Sequence, residues 1–182
     1  MSHAAKFLWF LCKWGRHGIE NMSKGLNVGI SDWKVGKGEG MIVTYALGSC
    51  VGICLYDKSA KIGGLSHIML PDSKSVTAGA ANNRMKFADT AIPDMLSKML
   101  TMGAVKARIT AKIAGGAHMF PTSNEKFNIG DRNVAAVKST LASLKIPITA
   151  QDCGENYGRT VFFNVVDGVM EVKSTTKGVK VL

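Results

Sequence analysis

Two short apolar runs, Cys50 to Tyr56 and Ile62 to Leu70, flank Asp57-Lys58-Ser59-Ala60, a tetrapeptide of turn-forming residues. Along the first run, alternation places Val51, Ile53 and Leu55 on one face and Gly52, Cys54 and Tyr56 on the other. The second run stops at Pro71, which has no N–H to give to a ladder. A β-hairpin is predicted here, and the rest of the chain must supply partners for its strands.

The partners are legible on both sides. Met41 to Ala46 carries β-branched Ile42, Val43 and Thr44 and predicts a strand. Before it, residues 25 to 40 mix short apolar pieces with Gly36-Lys37-Gly38-Glu39-Gly40, which reads as a flexible turn, and residues 72 to 83 read as a polar loop. Arg84 to Met102 predicts a helix from apolar Phe87, Ala88, Ala91, Ile92, Met95, Leu96, Met99 and Leu100. Pro93 within it either kinks the helix or marks a first-turn position. Ala107 to Ala114 predicts a strand ending at Gly115-Gly116, and Gly130 to Lys145 a helix with Asp131 as its N-cap. Ile146 to Ala150, Thr160 to Val166 and Val169 to Lys173 predict strands, the last two joined by an Asp167-Gly168 turn. Many strands with two helices predict an α+β fold, arranged as a layered sandwich.

With 182 residues, 46% of them hydrophobic and 20% charged, the chain can bury one domain core, and disorder is excluded as its general state. The first 21 residues read as a leader outside that domain, with Met22 as the natural start and residues 22 to 182 as the single domain. The leader's apolar run, Phe7 to Cys12, is too short to span a bilayer, which takes about 20 residues. Four cysteines in no framework spacing favour a reduced, cytoplasmic setting. The net charge of +10 favours anionic partners, but the basic residues are scattered and not interleaved with aromatics, so no nucleic-acid motif is present.

The chemistry of the chain concentrates in Thr44-Tyr45-Ala46-Leu47-Gly48-Ser49-Cys50 and Gly64-Leu65-Ser66-His67-Ile68-Met69-Leu70-Pro71. A thiol needs a base to act as a nucleophile, and these runs offer one thiol and one imidazole on neighbouring strands. A tight hairpin with Lys58 and Ser59 at its tip sets Cys50 directly opposite His67, with β-carbons about 4.5–5.5 Å apart, near enough for a thiolate–imidazolium pair. A longer loop slips that register, and one residue of slip reverses the side-chain direction. The Thr44 hydroxyl is placed to hold the imidazole tautomer, and the turn before Cys50 leaves N–H groups for an oxyanion. Each of these residues also has a plain reading: a buried small thiol, a satisfied strand histidine, a β-branched strand threonine. A metal site is disfavoured, because Cys50 and Cys54 stand about 13 Å apart on one strand and His118 has no metal-spaced partner. No glycine pattern for a nucleotide cofactor occurs.

At these residues the sequence resembles the CheD family, the chemoreceptor glutamine deamidases of bacterial and archaeal chemotaxis. The shared pieces are Thr44 to Val51, Leu55-Tyr56-Asp57, Gly63 to Pro71, Gly115-Gly116-Ala117, Ile129 to Val134, Asp152 to Arg159 and Gly168 to Lys173, in the family's order. Glu155 departs from the pattern, standing where the family usually has a second glycine, and the leader has no family counterpart. The resemblance implies a layered α/β sandwich, with mixed and antiparallel sheets flanked by helices, similar to the catalytic domain of cytotoxic necrotizing factor toxins. It implies hydrolysis of glutamine side chains on chemoreceptor cytoplasmic helices to glutamate and ammonia, in chemotaxis adaptation. The implied roles are Cys50 as nucleophile forming a thioester, His67 as general base and Thr44 as the orienting hydroxyl, with no cofactor and no metal. It further implies a CheC-type phosphatase as a partner and a cytoplasmic place at the membrane-associated receptor array. The alternative is a non-catalytic adaptor that binds receptors or the phosphatase, with Cys50 structural. A cysteine peptidase of the papain type is disfavoured by length.

Overall fold

The computed structural model describes residues 25–75, 82–118 and 128–182. The expected leader, residues 1 to 21, lies outside them, as do Cys12 and part of the polar loop at 72 to 83. Ten strands are described: β1 (Leu26–Val28), β2 (Asp32–Lys37), β3 (Met41–Leu47), β4 (Val51–Asp57), β5 (Ile62–Ile68), β6 (Ile109–Gly115), β7 (Ile148–Cys153), β8 (Arg159–Asn164), β9 (Met170–Ser174) and β10 (Gly178–Val181). Two α-helices accompany them, α1 (Ala88–Thr101) and α2 (Ile129–Ser143).

The strands form two five-stranded sheets, ordered β2-β5-β4-β6-β7 and β1-β3-β8-β9-β10. Each is mixed, with one parallel pair, β6 with β7 in the first and β1 with β3 in the second. Every residue of β4 and β5 is buried, because both faces of these central strands are covered. Val51, Ile53, Leu55, Ile62 and Ile68 pack against Ile92, Met95 and Met99 of α1 and Val137 and Leu141 of α2. Cys54, Tyr56 and Leu65 on the opposite face pack against Ile42, Val161, Phe163 and Met170 of the second sheet. The layers are therefore helices, sheet, sheet, the α+β sandwich predicted. Consecutive glycines admit the layer on either side of β5: a β-carbon at Gly63 would lie 2.6 Å from the Phe163 ring, and one at Gly64 2.8 Å from the Met95 sulfur.

Several local expectations are corrected. The hairpin loop is not two residues but four, since the last pair is Asp57 with Ile62. The cause is Asp57, whose buried carboxylate accepts the N–H groups of Ser59 and Ala60 and so shapes a longer loop, with Lys61 in left-handed backbone. The same carboxylate accepts Val105 N–H and two Arg108 donors, which hold its pKa down to about 2. The α1 helix starts at Ala88 instead of Arg84, after a 3-10 turn over Arg84–Lys86, and Pro93 lies inside it. Asn128, not Asp131, caps α2, its side chain accepting Gly130 N–H. Strands β1, β2 and β10 were not anticipated.

Candidate active site

The loop length moves the register by two residues. His67 faces Gly52 across β4–β5, and Val51 faces Ile68, so Cys50 is not directly opposite His67. A two-residue slip conserves side-chain parity. Cys50, just before β4, packs against the cluster between the sheets that holds Leu47, Cys54 and Leu65, and His67 faces Gly52 on that same inner side. No side chain at Gly52 competes for the space: a β-carbon there would already lie 3.0 Å from Leu47.

Thr44 reaches this face from the second sheet. It pairs with Val28 and Val161 in the ladders, after which the β3 register shifts and Ala46 takes φ 57. That bulge turns Leu47 back into the core and delivers the chain to the Gly48–Cys50 turn. The Thr44 hydroxyl lies 2.8 Å from the Val28 carbonyl and 2.8 Å from His67 Nδ1. A carbonyl accepts only, so the one hydroxyl hydrogen goes to Val28 and the Thr44 oxygen accepts from His67. His67 therefore carries its hydrogen on Nδ1 and its lone pair on Nε2. The Nε2 atom is buried and has no hydrogen-bond partner among the described residues. Thr44 and His67 are in hydrogen-bond contact; Cys50 is half-buried and makes no hydrogen bond to Nε2.

Both members of the pair are neutral at rest. Burial pushes His67 down to about 4. Burial also raises the Cys50 thiol, an effect partly offset by its own main-chain N–H directed at the sulfur. Burial thus disfavours the charged forms that a thiolate–imidazolium pair requires, and the Nε2 lone pair is free. Cys54 and Cys153 are held further from reactivity: burial raises the Cys54 thiol strongly and Cys153 to about 11.

The Cys50 turn is held by three successive carbonyls. Gly48 accepts from Ala117 N–H at 2.8 Å, Ser49 from Asn133 Nδ2 at 2.9 Å, and Cys50 from Gly116 N–H at 2.8 Å. Gly115 is required at φ +116, where a β-carbon would lie 2.2 Å from the Cys50 carbonyl oxygen. Sequence reasoning assigned no role at the site to Gly115, Gly116, Ala117 or Asn133. The signal for Asn133 was present, since it precedes Val137 and Leu141 at four-residue spacing, a polar residue on the buried stripe of α2.

A second cluster braces the neighbouring loop. Buried Arg159 faces Leu47, donates to the Tyr157 carbonyl at 3.1 Å, and stacks 4.0 Å over the Tyr157 ring. Asp152 accepts the Tyr157 hydroxyl at 3.2 Å and stands 3.4 Å from the guanidinium. Within that loop Gly154 N–H donates to Gly115, and the Glu155 carbonyl accepts His118 N–H. Glu155 takes φ 61, the left-handed region where a glycine costs nothing and a side chain about 1–2 kcal/mol. Among the described residues no helix is long and apolar enough to cross a membrane.

A family model described as CheD chemotactic sensory transduction matches residues 69–174. Curated relatives extend the similarity upstream. A probable chemoreceptor glutamine deamidase CheD of Caldanaerobacter subterraneus subsp. tengcongensis is 49% identical over 160 residues, covering 87% of this chain and 98% of the relative. Proteins of the same description are 45% identical in Moorella thermoacetica, covering 86% of this chain and 95% of the relative, and 46% identical in Clostridium novyi, covering 86% and 97%. Matches of that length on this chain necessarily run through Thr44, Cys50 and His67. The family match, the relatives and the layered fold lead to one conclusion: the chain belongs to the CheD family.

Proposed function

We propose that this protein is a chemoreceptor glutamine deamidase in which Cys50 is the nucleophile, His67 the general base and Thr44 the residue that fixes the base's tautomer. The observation that carries this reading is the Thr44 hydroxyl held between the Val28 carbonyl and His67 Nδ1, which leaves the Nε2 lone pair on the face shared with Cys50. Catalytic hydrogen bonds commonly tighten only when substrate is bound, so the resting separation of thiol and Nε2 is compatible with proton transfer between them.

The steps follow from neutral partners. Cys50 sulfur attacks the carbonyl carbon of a glutamine side chain while its proton passes to Nε2. The Cys50 main-chain N–H, which bears on the sulfur at rest, is the donor nearest the reacting centre that can turn to the developing oxyanion. The imidazolium returns the proton to the amide nitrogen, ammonia leaves, and a thioester to Cys50 remains. Nε2 then takes a proton from water as the water oxygen attacks the thioester, and Cys50 departs as the thiol when the proton returns. A neutral amide becomes a carboxylate, which changes the charge of a receptor helix. Residues 22 to 182 form the deamidase domain in this reading, with 1 to 21 as a leader. A CheC-type phosphatase is its partner, and its place is the receptor array on the cytoplasmic side.

The test is incubation of the purified protein with a chemoreceptor cytoplasmic fragment, with glutamine-to-glutamate conversion mapped by peptide mass spectrometry and Cys50→Ala in parallel. Conversion at defined glutamines, absent in the variant, is the expected result. A wild-type protein that binds the fragment and converts nothing overturns the reading in favour of an adaptor.

A further inference from the structure

Asn133 is fully buried, on the second turn of α2, yet its amide serves neither its own helix nor the core. Its two Nδ2 hydrogens go to main-chain carbonyls of two other segments. One is Ser49, immediately before Cys50, at 2.9 Å; the other is Met69, two residues beyond His67, at 3.0 Å. Both acceptors lack hydrogens, so the amide sits with its NH2 toward them. Its Oδ1 is left buried with no hydrogen-bond partner among the described residues. A polar group retained in an apolar stripe, with its own acceptor unpaired, is unfavourable as packing alone.

We propose that Asn133 is a positioning residue for the Cys50 chemistry: one amide nitrogen ties the turn that carries the nucleophile to the end of the strand that carries the base, and aims the Cys50 N–H. This rests on the deamidase reading above for its catalytic consequence, but its geometric content stands apart from it. The peptide between Ser49 and Cys50 is trans and planar, so its carbonyl and its N–H point in opposite directions. With the Ser49 carbonyl held on Asn133, the Cys50 N–H is turned away from α2. That N–H bears on the Cys50 sulfur and is the influence that eases its ionisation against burial. The Gly116 bond to the Cys50 carbonyl fixes the next peptide plane, so the nucleophile is oriented from both sides. The Met69 bond stops β5 from sliding relative to that turn, which keeps His67 opposite Gly52, two residues beyond Cys50.

The experiment compares Asn133→Leu, which matches the side chain in size but has no donor, with Val137→Ala one turn along the same buried face. Two readouts are taken on the full chain. The first is the rate of Cys50 alkylation by iodoacetamide against pH, resolved on the Cys50 peptide by mass spectrometry. The second is kcat and KM for deamidation of the receptor fragment. Asn133→Leu is expected to raise the apparent Cys50 pKa by about one unit. It is expected to lower kcat about 10²-fold, with KM within about twofold. Val137→Ala loses thermal stability and leaves the alkylation profile in place. Where Asn133→Leu does not fold, Asn133→Ser, with one donor, is held to the same criteria with a smaller shift in the same direction. A folded Asn133 variant with the wild-type alkylation profile overturns the proposal, and so does a Val137→Ala profile moved as far. Alkylation needs no receptor: a wild type that deamidates nothing, with the Asn133 shift present, overturns the deamidase reading and supports the role of Asn133.

Discussion

Acidification from pH 7 to pH 4 is expected to remove stability through His67. The side chain is fully buried, its Nδ1–H is given to Thr44, and its Nε2 has no hydrogen-bond partner among the described residues. An imidazolium here would bury a charge with one donor unmatched, and its pKa falls from 6.5 to about 4. The unfolded chain binds a proton at His67 below about 6.5, while the folded chain does not until about 4. Between those values the unfolded state holds more protons, so stability is complete above 6.5 and is lost as pH falls toward 4. At about 1.4 kcal/mol per pH unit, the interval amounts to about 3 kcal/mol, a large share of an ordinary domain's 5–15 kcal/mol. The assay is urea unfolding at fixed pH steps for the wild type and His67→Gln, reading the difference between them. Asp57, held at about 2 by Arg108, withdraws its own contribution only below the ordinary carboxylate range and cancels in the difference. A wild-type-minus-variant stability that is flat from pH 6.5 to pH 4 refutes a buried neutral imidazole. With it would go the account of the base, whose acid limb in deamidation is expected near pH 4 instead of 6.5.

Thr44→Val strands the Val28 carbonyl and the His67 Nδ1–H in the interior. It is expected to cost about 1–3 kcal/mol in urea unfolding and most of the deamidation, with Thr44→Ser retaining both. Full activity in Thr44→Val would remove the hydroxyl from the mechanism. Glu155→Gly relieves the left-handed backbone and is expected to add about 0.5–1 kcal/mol, seen as a melting temperature raised by about 2 °C; a fall would mean that this loop is not held as described. Gly115→Ala drives a methyl group into the Cys50 carbonyl at positive φ. About 2–3 kcal/mol of lost stability and slowed Cys50 alkylation are expected, and an unaffected alkylation rate would separate Gly115 from the nucleophile turn.

The β4–β5 hairpin was legible because two apolar runs met a turn tetrapeptide, whereas its register was not. Register depended on the Asp57 carboxylate folding back onto Ser59 and Ala60, a side-chain contact that strand periodicity does not encode. The slip was even, so within the hairpin each strand residue kept the face its alternation gave it. The marginal strands were lost for the opposite reason. β1 has three residues and β10 four, so the alternation in each is too short to read, and β10 is exposed along its whole length. In β2 the glycines at 36 to 40 masked the alternation of Trp33 and Val35.

What the sequence alone determined is the chemistry on offer: a thiol, an imidazole and a hydroxyl carried on short strands, and enough apolar alternation to bury them between layers. Those are properties of residue type and local period, and they survive errors in register and element ends. Tertiary structure decided how that chemistry is poised. The neutrality of Cys50 and His67 comes from burial by a second sheet distant in the chain, and the His67 tautomer from a Val28 carbonyl that occupies the Thr44 hydrogen. The grip of Asn133 on Ser49 and Met69 joins residues separated by 84 and 64 positions. Desolvation and main-chain hydrogen bonds of this kind depend on which segments meet, and only the folded chain brings them together.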